Sequence, residues 1–505
     1  MEDEARPTPG AAAGSPSTSD DLASHLTRRE FLGSTAAGIG AAAFGGAALG
    51  GAALGRGAQT APATVSVSGT QWGVSTAHIG ATEGNVRFDV ADLQDAGINT
   101  YRIYGGMSRW EWQDDDGVYG TPTIDEIKAD ANVIDWTWWD NAMTTPPNGS
   151  DYWWSGDGGL WQGNARTIFA GLKATGIRPV LTIRNRDNNG NPPWSPNPPV
   201  TAADWNEWWE HVFATVYWLN VRNDYRVDDF EVHNEPNNRG QGWGGTEADY
   251  FELVRYTHDA IDSVFSTYLP GRAYHVYAPV TSGGSSWPLD ALQQVPAFFD
   301  SVDVHSYSSD ITDYVRMVHA WMESTSHASY PLWLSEWSTY LDRYHMASTA
   351  IGRVVNNLIR GSRPGSDHVD GSHLFTFYDW DGFPGGFQNF QGLVAADGTK
   401  RMSYYAFRLA VRALQGERPT HESTTSTDNL LAITTEDAAG SLYLLVANSA
   451  ARTPTRLMPT SPRSGRLGQG RCGSSMPPIK TSLSRLRRSP TAMWRSRFRA
   501  PQPCY

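Results

Sequence analysis

Cysteine is almost missing from this 505-residue chain: there are two, Cys472 and Cys504, and both fall after residue 450. Residues 64–450 therefore have no thiol, which excludes a disulfide framework and a cysteine metal site there. Positive charge is scarce in the same stretch, with 47 Asp and Glu against 24 Lys and Arg. Such a surface repels nucleic acid, and its self-repulsion is tolerable where salt screens it, as in halophilic proteins. Acids in turn are missing from residues 451–505, which hold 12 basic residues and show no period. That tail reads either as a polyanion-binding segment or, preferably, as a frameshift product of a GC-rich gene, disordered and without function. Long apolar runs are also lacking. The one weakly apolar stretch, ending near Leu54, is so rich in Gly that it makes a poor stable membrane anchor.

What precedes that stretch is informative. Thr27-Arg28-Arg29-Glu30-Phe31-Leu32-Gly33 resembles the twin-arginine export consensus, and Ala61-Pro62-Ala63 suits a cleavage site. An extracellular or cell-surface protein is expected. From Val65 onward, strand-like runs alternate with helical ones, the pattern of a (β/α)8 TIM barrel. The strands are predicted at 71–76, 99–104, 179–183, 274–278, 302–306 and 373–378, with a fourth running from Asp229 into Asn234-Glu235-Pro236 and a seventh running from Pro331 into Glu336. Beyond residue 420 the pattern changes to short alternating runs at 430–434 and 442–446, the start of a small β-sandwich. The predicted organisation is a leader and linker over 1–63, a barrel over 64–420, part of a sandwich over 421–450 and the basic tail over 451–505.

Aromatic residues are abundant, with 21 Trp, 21 Tyr and 17 Phe. Many of the tryptophans crowd into two long connections, 105–163 and 184–199, that leave the carboxyl ends of strands. Those connections either wall a cleft or pack over the barrel mouth. Asn148-Gly149-Ser150 forms a glycosylation triplet on one of them.

The chain is organised around Asp229-Phe230-Glu231-Val232-His233-Asn234-Glu235-Pro236-Asn237. A β-prone run stops abruptly in Asn-Glu-Pro, which puts Glu235 at the carboxyl end of a strand, where barrels do chemistry. Pro331-Leu332-Trp333-Leu334-Ser335-Glu336-Trp337 repeats the form about a hundred residues later. Taken alone, Asn-Glu-Pro is as well explained as a turn or a helix start. Two strand-end glutamates on one face, however, are the minimum equipment for cleaving a glycosidic bond: one donates a proton to the leaving oxygen, the other attacks from the opposite side. Asn234 is placed to bind a sugar hydroxyl. Arg102, at the end of the second strand, is placed to hold Glu336 ionised, and the Tyr307 hydroxyl to donate to it. His305 either braces the rim or contacts the ligand. No metal constellation or phosphate loop stands out, so neither a metal nor a cofactor is expected.

These residues carry a resemblance. Asn234-Glu235-Pro236, Ser335-Glu336-Trp337, Arg102 and Trp380 resemble the pattern of the clan A glycoside hydrolases. Residues 231–237, and the ending Gly392-Leu393-Val394 through Ser403-Tyr404-Tyr405-Ala406-Phe407, look most like family 39, the β-xylosidase and α-L-iduronidase group. His233 stands where that family commonly has Trp. The resemblance implies a retaining mechanism acting on an oligo- or polysaccharide, with Glu235 as acid/base and Glu336 as nucleophile. It also implies that Asn234 binds the 2-hydroxyl, that Arg102 and Tyr307 orient the nucleophile, and that Trp380 floors the first subsite. The alternatives are an endo-β-glycanase of the same clan and a non-catalytic carbohydrate-binding barrel. Retention of both glutamates argues against the latter.

Overall fold

The computed structural model describes residues 63–84, 86–111, 115–144, 165–185, 194, 197–238, 243–339, 351–380, 391–448 and 484–486. The residues read as a twin-arginine leader, the glycosylation triplet, Trp112, Trp153, Trp154, Trp161 and most of the basic tail lie outside them. No helix among the described residues is long and apolar enough to cross a membrane.

The first strand, β1 (Val65–Val74), does not enter the barrel. Eight later strands do: β2 (His78–Thr82), β3 (Thr100–Tyr104), β4 (Arg178–Ile183), β5 (Asp229–Val232), β6 (His275–Thr281), β7 (Ser301–Ser306), β8 (Leu332–Trp337) and β9 (Gly371–Leu374). They pair in parallel, each with the next, and β9 closes onto β2. A helix follows every one of them: α1 (Val90–Ala96), α2 (Ala165–Thr175), α3 (Ala202–Tyr217), α4 (Glu247–Tyr268), α5 (Trp287–Gln294), α6 (Thr312–Ser324), α7 (Ile351–Gly361) and α8 (Met402–Leu414). This is the (β/α)8 fold that the alternation predicts. Local chemistry agrees with it. Thr201 and Thr246 open α3 and α4 with reciprocal capping boxes to Asp204 and Asp249, satisfying backbone donors that a helix start leaves unpaired.

The predicted first barrel strand, 71–76, is displaced. Residues 71–74 belong to β1, which pairs antiparallel with β10 (Pro419–Thr425). The true first strand is His78-Ile79-Gly80-Ala81-Thr82, whose small residues give little β signal. Close approach is the reason for one of them: a Cβ on Gly80 would lie 2.0 Å from the Thr100 carbonyl oxygen. The eighth strand likewise ends at Leu374, earlier than predicted.

β1 and β10 continue through β11 (Leu430–Glu436) and β12 (Leu442–Asn448) to β13 (Ser484–Leu486), an antiparallel sheet beside the barrel. This is the sandwich-like C-terminal part expected, with its edge strand borrowed from the N-terminal side. Ile433, Leu445 and Ala447 join the main apolar core, and the Thr435 hydroxyl donates to the Ala413 carbonyl of α8 at 2.6 Å. Residues 484–486 of the basic tail form β13 against β12.

The described tryptophans of the 105–163 connection pack outside the barrel. Trp139 is buried with its ring 5.6 Å from His211 of α3. Trp136 stacks on Tyr217 of the same helix at 4.8 Å. Trp110 lies in the core. For these residues packing is the role the geometry shows.

Candidate active site

The barrel interior is polar because strand alternation sends small and charged residues inward and apolar ones toward the helices. On β5, Phe230 faces Phe265 of α4, while Glu231 reaches the guanidinium of Arg102 across the barrel. On β3, Thr100, Arg102 and Tyr104 share one face by the same two-residue period. β7 offers Asp303 and His305 in the same way.

Arg102 is fully buried and organises the cluster. Its Nε donates to both Glu231 oxygens at 2.9 and 2.8 Å. Its Nη1 donates to the Tyr104 hydroxyl at 2.7 Å and to Glu336 Oε2 at 3.0 Å. Its Nη2 donates to Asn234 Oδ1 at 2.8 Å. One fork thus ties β3 to β5, to the turn after β5 and to β8, a task that suits a planar, always-charged group.

Glu235 lies three residues past β5, in a turn with positive φ at His233 (65°) and at Glu235 itself (45°). Non-glycine residues rarely hold that conformation unless their surroundings enforce it. Here the neighbouring strands do. His233 N–H donates to the Ile183 carbonyl at the end of β4 at 2.8 Å, and Glu235 N–H to the Val280 carbonyl of β6 at 2.9 Å. The His233 ring bonds Asn185 at 2.7 Å and lies edge-on to Trp243, so this position serves as an anchor beneath the turn. The Glu235 carboxylate accepts from Asn238 at 2.8 Å and faces His305 Nδ1 at 3.1 Å.

Glu336 is aimed by an irregularity in β8. Asp303 pairs with Trp333 and His305 with Glu336, so β8 spends three residues where β7 spends two. That extra residue is a β-bulge, which re-aims a side chain. Trp333 already points inward, stacked on His78 and His373. Strict alternation from it would turn Glu336 away from the barrel interior. The bulge brings it in.

Once inside, Glu336 Oε2 accepts from Arg102 and, at 2.6 Å, from the Tyr104 hydroxyl. Its other oxygen accepts from the Tyr307 hydroxyl. Burial pushes this carboxyl toward protonation, but the His305 and Arg102 charges and the two tyrosine hydroxyls outweigh it and hold the pKa down at about 2. His305 shows the reciprocal effect. Burial disfavours its charge, yet Glu336 and the Glu235 contact raise its pKa above the ordinary 6.5. Its Nε2 meets the Ser335 hydroxyl at 3.2 Å.

A carboxylate oxygen of Glu235, one of Glu336 and a ring nitrogen of His305 all lie within 4.8 Å of one another. These are ligand types a divalent cation accepts, and among the described residues no other such group of three occurs. A cation there would sit beside the Arg102 guanidinium and a histidine already favoured in its charged form. The set is better matched to holding a proton than a metal.

The structure brings together all seven residues singled out in the sequence. Arg102, Asn234, Glu235, His305, Tyr307 and Glu336 form one hydrogen-bonded network. Trp380, buried, joins through rings: its face lies near Phe375 and its edge meets Tyr104 at 5.8 Å. Sequence reasoning missed Glu231 and Tyr104. A signal existed for both: a buried arginine demands a carboxylate partner, and Tyr104 follows Arg102 by two residues on the same strand face.

No family model matches the sequence, and no curated protein does. Solved structures match the fold. A β-xylosidase of glycoside hydrolase family 39 from Caulobacter crescentus is 20% identical, with 75% of this chain and 79% of that chain covered and a TM-score of 0.50. The family 39 enzyme from Xanthomonas axonopodis pv. citri is 18% identical, over 79% and 78% of the two chains, with a TM-score of 0.52. A family 51 α-L-arabinofuranosidase from Bifidobacterium longum is 13% identical, over 79% and 88%, with a TM-score of 0.52. At these identities the likeness is one of fold.

Proposed function

We propose that this chain is a retaining glycoside hydrolase that cleaves the glycosidic bonds of an oligo- or polysaccharide by double displacement. The observation that carries this reading is the pair of carboxylates at the carboxyl ends of β5 and β8, with oxygens within 4.8 Å, of which Glu336 takes the bond from the Arg102 guanidinium. Retaining enzymes hold their carboxyls about 5–5.5 Å apart, whereas inverting ones leave roughly 6.5–9.5 Å for a water. Glu336, kept anionic by Arg102 and two tyrosines, attacks the anomeric carbon and forms a glycosyl ester. Glu235 gives its proton to the leaving oxygen and then takes one from the water that hydrolyses the ester. Asn234, held by Arg102, binds a hydroxyl of the sugar beside that carbon. The solved structures of like fold include a β-xylosidase and an arabinofuranosidase, which supports a carbohydrate substrate. The twin-arginine leader supports export of the folded enzyme.

A panel of aryl glycosides, assayed at low and high salt, tests the reading. The intact protein is expected to hydrolyse at least one of them with retention of configuration. Glu235→Ala and Glu336→Ala should each lower kcat by about 10²–10⁴ or more. Equal rates in both variants and the parent sink the site assignment.

A further inference from the structure

The hydrolase reading leaves open which oxygen of Glu336 attacks, and the donors around that carboxylate are unequal. Oε2 accepts from the Tyr104 hydroxyl at 2.6 Å and from Arg102 Nη1 at 3.0 Å, with His305 Nδ1 at 3.8 Å. Oε1 accepts from the Tyr307 hydroxyl. We propose that Tyr104 is a positioning residue that pins Oε2 in place and so leaves Oε1 as the oxygen that bonds to the sugar. This inference rests on the hydrolase reading.

The two oxygens differ in what they lose as hydrogen-bond acceptors when one of them becomes esterified. In the first step a lone pair on one carboxylate oxygen forms a bond to the anomeric carbon. The glycosidic C–O bond breaks with its electron pair going to the leaving oxygen, which takes the proton of Glu235. The carboxylate becomes an ester whose carbonyl oxygen still accepts hydrogen bonds well and whose alkoxy oxygen accepts them poorly. Attack through Oε2 would cost that oxygen the bonds from Arg102 and Tyr104 together, in a buried site where unmade bonds are expensive. Attack through Oε1 gives up one hydroxyl bond and leaves the paired donors satisfied on the carbonyl oxygen.

Tyr104 is built to stay where it is. It ends β3, two residues after Arg102, and accepts from Arg102 Nη1 while donating to Glu336. The Arg184 guanidinium lies over its ring at 4.8 Å, and the ring meets Trp380 edge-on. Its backbone N–H donates to Glu83 Oε1 at 2.9 Å. Burial also keeps its phenol protonated, and therefore a donor. The charged and titratable groups facing Glu336 are then Arg102 and Tyr104 from β3, Glu235 from the turn after β5, and His305 and Tyr307 from β7 and its end.

The test uses the 2-deoxy-2-fluoro analogue of the aryl glycoside the enzyme cleaves, which traps the covalent intermediate. A structure of the trapped wild type is expected to show the ester through Oε1, with Tyr104 still bonded to Oε2. In Tyr104→Phe, which keeps the ring and its packing, the acid limb of the inactivation rate should move up by about one pH unit, a shift that a merely structural role would not produce. An ester through Oε2, or an acid limb unmoved in Tyr104→Phe, overturns the proposal while leaving the hydrolase intact. Absence of any adduct on Glu336 in the wild type overturns the hydrolase reading, and the proposal with it.

Discussion

Replacing Arg102 by Met separates what the central arginine does for folding from what it does for chemistry. Arg102 and Glu231 both have side chains with 0% exposure. After the substitution, Glu231 keeps its bond from the Thr182 hydroxyl at 2.6 Å but loses two bonds and its counter-charge. Removing one partner of a buried ion pair typically costs about 3–5 kcal/mol. The stranded carboxylate can escape part of that cost by binding a proton, so its folded-state pKa rises above the unfolded value of about 4.3. A raised carboxylate pKa makes the destabilisation grow as pH climbs above that unfolded value. Urea unfolding of Arg102→Met should therefore show a larger loss at pH 7.5 than at pH 5. In Arg102→Met/Glu231→Leu no buried charge is stranded on that side, and about 2 kcal/mol or more of the loss should return. Activity should not return, because Glu336 still lacks its cation. A single-variant cost below about 1 kcal/mol, or a double variant as unstable as the sum of the singles, refutes the reasoning.

Two further outcomes follow from the same geometry. The raised pKa of His305 means that its charge contributes stability below the unfolded value of about 6.5, and that this is lost as pH rises through the folded value. The wild type's advantage over His305→Asn in urea midpoint should thus be greater at pH 5.5 than at pH 9; a pH-independent difference counts against a charged His305. Trp139, buried against His211 and donating from its indole to Asp115 at 3.0 Å, packs outside the barrel. Trp139→Ala should cost about 3–5 kcal/mol of stability and leave KM unchanged, and a raised KM in a protein of unaltered stability would return that loop to the substrate cleft.

Much of the barrel was legible because its elements obey two periods that only hydrophobic burial imposes, and because each strand must hand over to a helix. The same logic located Glu235 and Glu336, since strand ends are marked by turn residues such as Asn234 and Pro236. It failed at β2, where close packing on Thr100 selects small residues that carry no β signature, and β1's stronger alternation took its place. Glu231 and Tyr104 were passed over because a residue inside a strand looks structural until its neighbour across the barrel is known.

What the amino-acid order determined by itself was the set of groups and the ends of the strands on which they stand, because local propensity and hydrophobic alternation act within a few residues. Tertiary structure alone decided their ionisation and their aim. Glu336 is turned inward by one extra residue in β8, whose existence depends on register with β7. It is held anionic by Arg102 and Tyr104, both more than two hundred residues distant, and by Tyr307 just past the end of the adjoining β7. Coulomb forces and hydrogen bonds act through space rather than along the chain, so they come into being only when the barrel closes.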